Sequence, residues 1–362
     1  MSTIRIACVG DVMCGDSFYA IGHGVASSLR RHGVAFLPEE FVTFFHQHDA
    51  VLFNLESVLS DVGRAESSLR RLHMRGRPEA ASYLAQWGLT CANVANNHIL
   101  EQGHACAVDT ARQLREAGIG VVGAGREGLF ESGLQVANLE LQGQKYSILG
   151  ACLLDEKYAY AGGASADQIL DAVRSLAQDG RYVIVSLHWG TEFMNRPSAG
   201  QRQLARDLID AGASVIAGHH PHVVQGIERV GRGLVAYSLG NFIFDDFVAD
   251  CCWSVILTVE LADGQVVAWD SVPIAKDGEH RPVMVQGRDK ERLAAQVRRR
   301  CTLLEETGSP ETQEQYLKDF TEADLRARRE LWWRLLKTLP QSKWRFWPQL
   351  LWRPIQRKLG WW

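Results

Sequence analysis

Two histidines flank a proline in Ala217-Gly218-His219-His220-Pro221-His222-Val223, directly after the apolar run 213–217, which reads as a short buried strand. Pro221 biases His220 towards extended backbone. Alternate residues of an extended chain share a face, so His220 and His222 are expected to aim their imidazoles at one spot. Neutral imidazoles converging at a strand end suit zinc, manganese or iron. A lone His-x-His is also common in solvated loops, so the other apolar runs must decide. Residues 4–9 lead into Gly10-Asp11, and 50–53 into Asn54-Leu55-Glu56. Residues 90–95 lead into Asn96-Asn97-His98, and 181–187 into His188 with Glu192 four residues on; 234–239 lead into Gly240-Asn241. Taken singly, Asp11 is a turn or helix-capping aspartate. Glu56 would be costly to bury unpaired, and the basic stretch 68–77 could pair with it or hold an anionic substrate instead. Together, Asp11, Glu56, Asn97, His98, His188, His220 and His222 argue for a metal centre.

The elements that must position these groups follow from periodicity. Helices are expected at 78–87, 105–116, 166–178 and 199–211, several of them closed by glycine. Hairpins are expected at 135–141/145–152 around Gln142-Gly143 and at 253–261/266–272 around Asp263-Gly264, so the sheet content is mixed. The stretch Gly118-x-Gly120-x-x-Gly123-x-Gly125 matches a dinucleotide fingerprint in letters only. It follows a helix and contains the next strand, whereas the fingerprint opens a helix.

Composition narrows the class. With 362 residues, 46% apolar and 22% charged, the chain can bury a large core as a globular protein. The net charge of −3 conceals an asymmetry. Residues 331–362 contain seven Lys and Arg and no Asp or Glu, which leaves −10 on residues 1–330 by difference. An acidic body argues against nucleic acid as a partner. The opening MSTIRIACVGDVM lacks the features of a secretory signal, and no apolar run is long enough to span a membrane. The eight cysteines form no CxxC pair, consistent with free thiols in a reducing cytoplasm.

Six segments in fixed order, GDVMCG (10–15), FNLESVLS (53–60), VANNHILEQG (94–103), SLHWGTEF (186–193), GHHPHVVQGIE (218–228) and YSLGNFIF (237–244), carry a resemblance. As a set they resemble the CapA (PgsA-type) family of capsule and poly-gamma-glutamate biosynthesis, itself similar to the calcineurin-like metallophosphoesterases. The resemblance spans residues 4–275. It implies an α/β fold, a four-layer α/β/β/α sandwich with the site where strand ends meet, and one or two divalent ions (Mn, Fe or Zn). Asp11 and His222 would serve one ion, Asn97, His188 and His220 the other, and Glu56 would stand where the phosphoesterases have a bridging aspartate. His98 would be the catalytic acid or electrostatic group beside the metals, with Glu101 orienting it in place of the family's usual aspartate. Asn54, Glu192 and Asn241 would support the ligands or touch substrate. His219 falls at a variable position of its motif. Met13 stands where the phosphoesterases place a metal-binding histidine, which leaves the first ion poorer in ligands. The implied chemistry is metal-assisted hydrolysis or transfer on an anionic ester, phosphoester or amide. The competing implication is a non-catalytic scaffold or polymer-binding subunit of a membrane synthesis or export complex.

The expected division is a catalytic-type domain over 1–282 and a helical, basic extension over 283–362. In the extension, helices are expected at 290–307, 311–320 and 323–339. The last sets Leu331, Trp332, Leu335, Leu336 and Leu339 opposite Arg328, Arg334 and Lys337. Seven of the eleven Trp lie beyond residue 331. Trp mixed with Lys and Arg is the composition of an interfacial anchor, so residues 323–362 are expected to meet the inner face of a membrane or a membrane synthase. A protein partner and packing on the body itself are the alternatives.

Overall fold

A computed structural model describes residues 3–123, 134–154, 164–306, 313–341 and 344–350. Among these residues, one sheet has eight strands and a second has six. The first runs Pro282–Met284, Gln265–Lys276, Trp253–Ala262, Ile4–Val12, Ala50–Leu55, Cys91–Asn93, Gly120–Val122, with Asn241–Ile243 also paired to Ile4–Val12. The second runs Ile227–Val230, Gly233–Ala236, Ala213–His219, Tyr182–Trp189, Gln144–Leu153, Gln135–Leu141. The first sheet is parallel from Ile4–Val12 out to Gly120–Val122 and antiparallel on its other side; the second is parallel at the centre and antiparallel at both edges.

Parallel strands are buried on both faces, which is why they read as unbroken apolar runs. The period of two sorts each run between two cores. Ala7, Val9, Val51 and Phe53 pack under Leu29, Phe41, Leu84 and Leu114 of the outer helices. Ile6, Cys8, Ala50 and Leu52 point the other way and meet Ile148, Ile184, Val215 and Ala217 of the second sheet. Val183, Val185 and Ile216 then face Ile169, Val173 and Leu208 of the helices beyond. Helix, sheet, sheet, helix: this is the four-layer α/β/β/α sandwich.

Beyond residue 283, several of the described residues pack back on this body. Leu293 and Val297 of the helix Gly287–Glu306 enter the inter-sheet core. The two helices expected at 311–320 and 323–339 are one, Gln313–Thr338, because Thr321 and Glu322 between them carry no breaker. Leu331, Leu335, Phe346 and Leu350 close over Tyr19, Leu69 and Leu72. Trp333, Leu336 and Trp344 stay outside, 62%, 55% and 81% exposed. Trp352, Trp361 and Trp362 lie outside the described residues, as does Gly125 of the glycine-rich stretch. Among the described residues no helix is long and apolar enough to cross a membrane.

Candidate metal centre

The carboxyl ends of the central strands of both sheets meet at one edge of the sandwich, the usual place for ligand groups in parallel sheets. Alternation alone would send Asp11 to the helix side with Ala7 and Val9. The pairing prevents this: Cys8 opposes Leu52, yet Asp11 opposes Asn54, so the first strand carries one extra residue. That bulge turns Asp11 onto the inter-sheet face with Asn54. Gly10 sits in it because a Cβ there would lie 1.9 Å from the carbonyl oxygen of Gly240. From the second sheet, His188 and His219 arrive in register with each other.

Asp11 is fully buried. Its Oδ1 accepts from Asn54 Nδ2 at 2.8 Å and lies 3.3 Å from His219 Nδ1. Its Oδ2 lies 3.3 Å from His222 Nδ1 and 3.4 Å from the backbone nitrogen of His220. Glu56 is also fully buried, and among the described residues its Oε1 has no hydrogen-bond partner. Around that oxygen stand His98 Nε2 at 3.7 Å, His188 Nε2 at 3.8 Å and His222 Nε2 at 3.7 Å. The basic stretch does not reach it: Arg75 turns to the carbonyls of Ser60 and Val62 and to Gln102. Glu56 is thus surrounded by imidazoles, not by arginine.

Two sets of donor atoms share Glu56: Glu56 with His188 and His220, and Asp11 with Glu56 and His222, each set within 4.8 Å of mutual reach. Glu192 forms a third with His220 and His222. Asn97 Oδ1 lies 2.8 Å from His188 Nε2, and Asn97 Nδ2 lies 3.2 Å from His98 Nε2. His98 Nδ1 lies 2.9 Å from Glu101 Oε2. Asn241 Oδ1 lies 2.9 Å from His222 Nδ1, while its Nδ2 donates to Asp246. Every sequence-predicted site residue therefore falls in one cluster.

The route by which two of them arrive differs from expectation. The strand ends at His219, and His220 and His222 have φ of 94° and 61°. They are not alternate residues of an extended chain. Non-glycine residues at positive φ cost energy that the surroundings must offset. Here the neighbouring loop locks the turn, with Phe193 donating to the carbonyl of Pro221 at 2.9 Å.

Residues that the sequence left out complete the site. His219, at the variable position, contacts Asp11. Asn96 pins the 96–99 turn: its Oδ1 accepts from the backbone of His98 and Ile99, and its Nδ2 donates to Asn54 Oδ1 and the Leu55 carbonyl. His73 Nε2 stands 3.6 Å from Glu101 Oε1. Of these, only Asn96, the first asparagine of the Asn96-Asn97 pair, was hinted at by the sequence.

Electrostatics follow from burial and crowding. Burial pushes the Asp11 carboxyl up, but the hydrogen bonds and charge of His219 and His222 outweigh it and hold it well below the usual range. Burial raises Glu56 to about 8 against the opposing pull of His222. Burial and the neighbouring His220 hold His188 well below an ordinary histidine, and burial brings His220 to about 4. His222 reaches about 10, since Glu56 and Asp11 overcome its burial. His98 is also raised, Glu101 and Glu56 prevailing over burial. Neutral His188 and His220 offer lone pairs, and Glu56 needs a nearby cation to stay ionised. Buried carboxylates with neutral imidazoles, one carboxylate oxygen orphaned, and an unpartnered Nδ1 on His220 make a donor set that fits a divalent transition ion.

A family model described as bacterial capsule synthesis protein PGA_cap matches residues 5–246. The chain belongs to this capsule-synthesis family. The matched span contains every site residue described above, from Asp11 to Asn241. Among its relatives, the capsule biosynthesis protein CapA of Bacillus anthracis is 28% identical over 309 residues, covering 81% of this chain and 72% of that protein. The PGA biosynthesis protein CapA of Bacillus subtilis is 29% identical over 245 residues, covering 66% of this chain and 62% of that protein. Among solved structures, that of a novel phosphatase from Mycoplasma pneumoniae is 12% identical, with a TM-score of 0.49 over 76% of this chain and 95% of that one.

Proposed function

We propose that this member of the capsule-synthesis family is a metal-dependent hydrolase acting on an anionic ester, phosphoester or amide of a capsule or exopolymer. The observation that carries the reading is the orphaned Oε1 of buried Glu56 among His98, His188 and His222. Asp11, Glu56 and His222 would hold one divalent ion and Glu56, Asn97, His188 and His220 a second, with manganese, iron and zinc all compatible. Bound there, such an ion acidifies water and polarises a substrate oxygen. The remaining work belongs to the chain. His98 is 21% exposed at its side chain where Asp11, Glu56 and His188 are fully buried, so it can reach a substrate. With Nδ1 held by Glu101, Nε2, which lies 3.2 Å from Asn97 Nδ2, is the nitrogen that would take up a proton and pass it to a leaving oxygen or nitrogen. Asn54, bonded to both Asp11 and Glu56, keeps the two carboxylates at a fixed separation. Asn241 and Glu192 orient His222 and His220.

The test combines elemental analysis of purified protein with a panel of phosphodiester and peptide substrates. Wild type should carry divalent metal and turn over a member of the panel. His98→Ala should keep the metal and lose about 10²- to 10⁴-fold in rate, and His220→Ala should lose tight metal uptake. Full metal content in His220→Ala would refute the ligand set.

A second reading, a non-catalytic polymer-binding or scaffold subunit, draws on Met13, fully buried where the phosphoesterases have a ligand histidine. Metal retained with no turnover, and no effect of His98→Ala, would favour it. In either case the exposed Trp333, Leu336 and Trp344 beside a basic terminus support peripheral attachment at the inner face of a membrane, through lipid or a membrane synthase.

A further inference from the structure

The stretch 58–77 folds into a two-stranded pair, Val58–Leu59 with Arg75–Gly76, which carries Arg75 inward until it is 1% exposed. Its Nη1 donates to the carbonyls of Val62 at 2.7 Å and Ser60 at 3.3 Å, and its Nη2 to Gln102 Oε1 at 3.0 Å and Cys106 Sγ at 3.4 Å. All four acceptors are neutral, and among the described residues its Nε has no hydrogen-bond partner. A guanidinium keeps its charge on burial, and a buried charge without a counter-charge is costly.

Arg75 fronts a cavity of about 270 Å³ that Arg30, Arg64, Arg77, Asp16 and Glu66 also line and that Phe346 walls on one side. The carboxylates here are already engaged. Asp16 accepts from the backbone of Gly22 and Ser27 and from Ser27 Oγ. Glu66 accepts from Arg64 Nε at 2.8 Å and lies 3.6 Å from Arg77 Nη2. Asp61 takes Arg77 at 3.1 Å. Arg30 donates to Ser27 Oγ at 2.8 Å, a neutral acceptor. Among the described residues, Arg30 and Arg75 therefore bring two cationic groups to the cavity that no carboxylate answers, and the buried Nη1 of Arg64 has no hydrogen-bond partner.

We propose that this cavity is a subsite for the anionic polymer, binding carboxylates of its repeating unit between Arg30, Arg64 and Arg75. Two unanswered guanidinium groups match a ligand bearing more than one anion. The volume is several times the roughly 30 Å³ of a water's share of the liquid, so a chain segment fits where a single small oxyanion would rattle. The subsite is also joined to the candidate metal centre. His73, two residues before Arg75, contacts Glu101, and Glu101 holds His98. The proposal rests on the reading of an anionic polymer as substrate, but it concerns binding and needs no turnover.

Calorimetric titration of the full chain with a glutamate oligomer, in chelator to silence the metal centre, tests it. Inorganic phosphate serves as the small-anion control. Wild type should bind the oligomer, more weakly as salt rises. Arg30→Gln combined with Arg64→Gln, both nearer the surface than Arg75, should weaken binding about 10-fold or more. Arg75→Met should weaken it further; if that variant does not fold, the double variant alone decides. Unchanged affinity in the double variant, or no oligomer binding by wild type, overturns the proposal. Phosphate binding without oligomer binding overturns the polymer assignment and leaves a small-anion site. Failure of the hydrolytic reading would look different, with oligomer binding intact and no turnover.

Discussion

Glu56→Gln separates stability from metal binding. In the metal-free protein the Glu56 carboxyl is raised from 4.5 to about 8 by burial. The folded state therefore holds a proton that the unfolded chain releases between those values, and stability falls as pH rises through this window. At 1.36 kcal/mol per unit, ionised Glu56 costs the metal-free fold on the order of 4–5 kcal/mol above pH 8. Between pH 6 and pH 8 the loss is about 2–3 kcal/mol. Gln is isosteric and uncharged, so it should remove that slope. Urea denaturation in EDTA at pH 6 and pH 8.5 should show wild type weakening relative to Glu56→Gln as pH rises. Repeated with excess Mn or Zn, the order should invert: wild type gains stability from the ion by mass action, and the variant gains little. Parallel pH dependence of the two proteins in EDTA, or equal stabilisation of both by metal, would refute the assignment of Glu56 as the ionisable centre of the cluster.

Away from the cluster, His280 is 8% exposed, 3.9 Å from Asp245 Oδ1 and held down to about 4, chiefly by burial. The unfolded chain takes its proton first, so stability should fall as pH drops from about 6.5 to 4, by on the order of 3 kcal/mol. Denaturation midpoints across that range should flatten in His280→Leu by comparison with wild type. At the other end of the molecule, Trp333→Ser with Trp344→Ser should lower co-sedimentation with vesicles containing anionic lipid by about 10-fold. Neutral vesicles should bind wild type poorly. Equal sedimentation of wild type and variant would move the attachment reading to a protein partner.

The candidate site was legible in the sequence because of how parallel sheets are built. A strand buried on both faces is an apolar run, and a polar residue ending such a run stands out. Asp11, Glu56, Asn97, His188, His220 and His222 all do so. His98 and Glu101 were paired three residues apart, and the structure sets them 2.9 Å apart. What misled was local geometry. Alternation and Pro221 suggested extended backbone at His220, whereas the turn there adopts positive φ and is fixed by contact with the 190–194 loop. The basic stretch 68–77 contained a candidate partner for Glu56, but Arg75 turns away from it, its Nη atoms donating to neutral groups including the Val62 carbonyl and Gln102.

By itself, then, the sequence determined which side chains terminate the buried strands, since period and composition are local properties; the pairing of two sheets face to face was implied only through the family resemblance of the six motifs. Tertiary structure decided the rest. The one-residue bulge that brings Asp11 round to the second sheet depends on which strand pairs beside it. The contact of His219 with Asp11 spans more than two hundred residues of chain, and the relay from His73 through Glu101 to His98 joins separate loops. The cavity wall supplied by Phe346 comes from the far end of the molecule. Each is a pairing between segments whose encounter is fixed by the closing of the whole core, and no window of neighbouring residues encodes it.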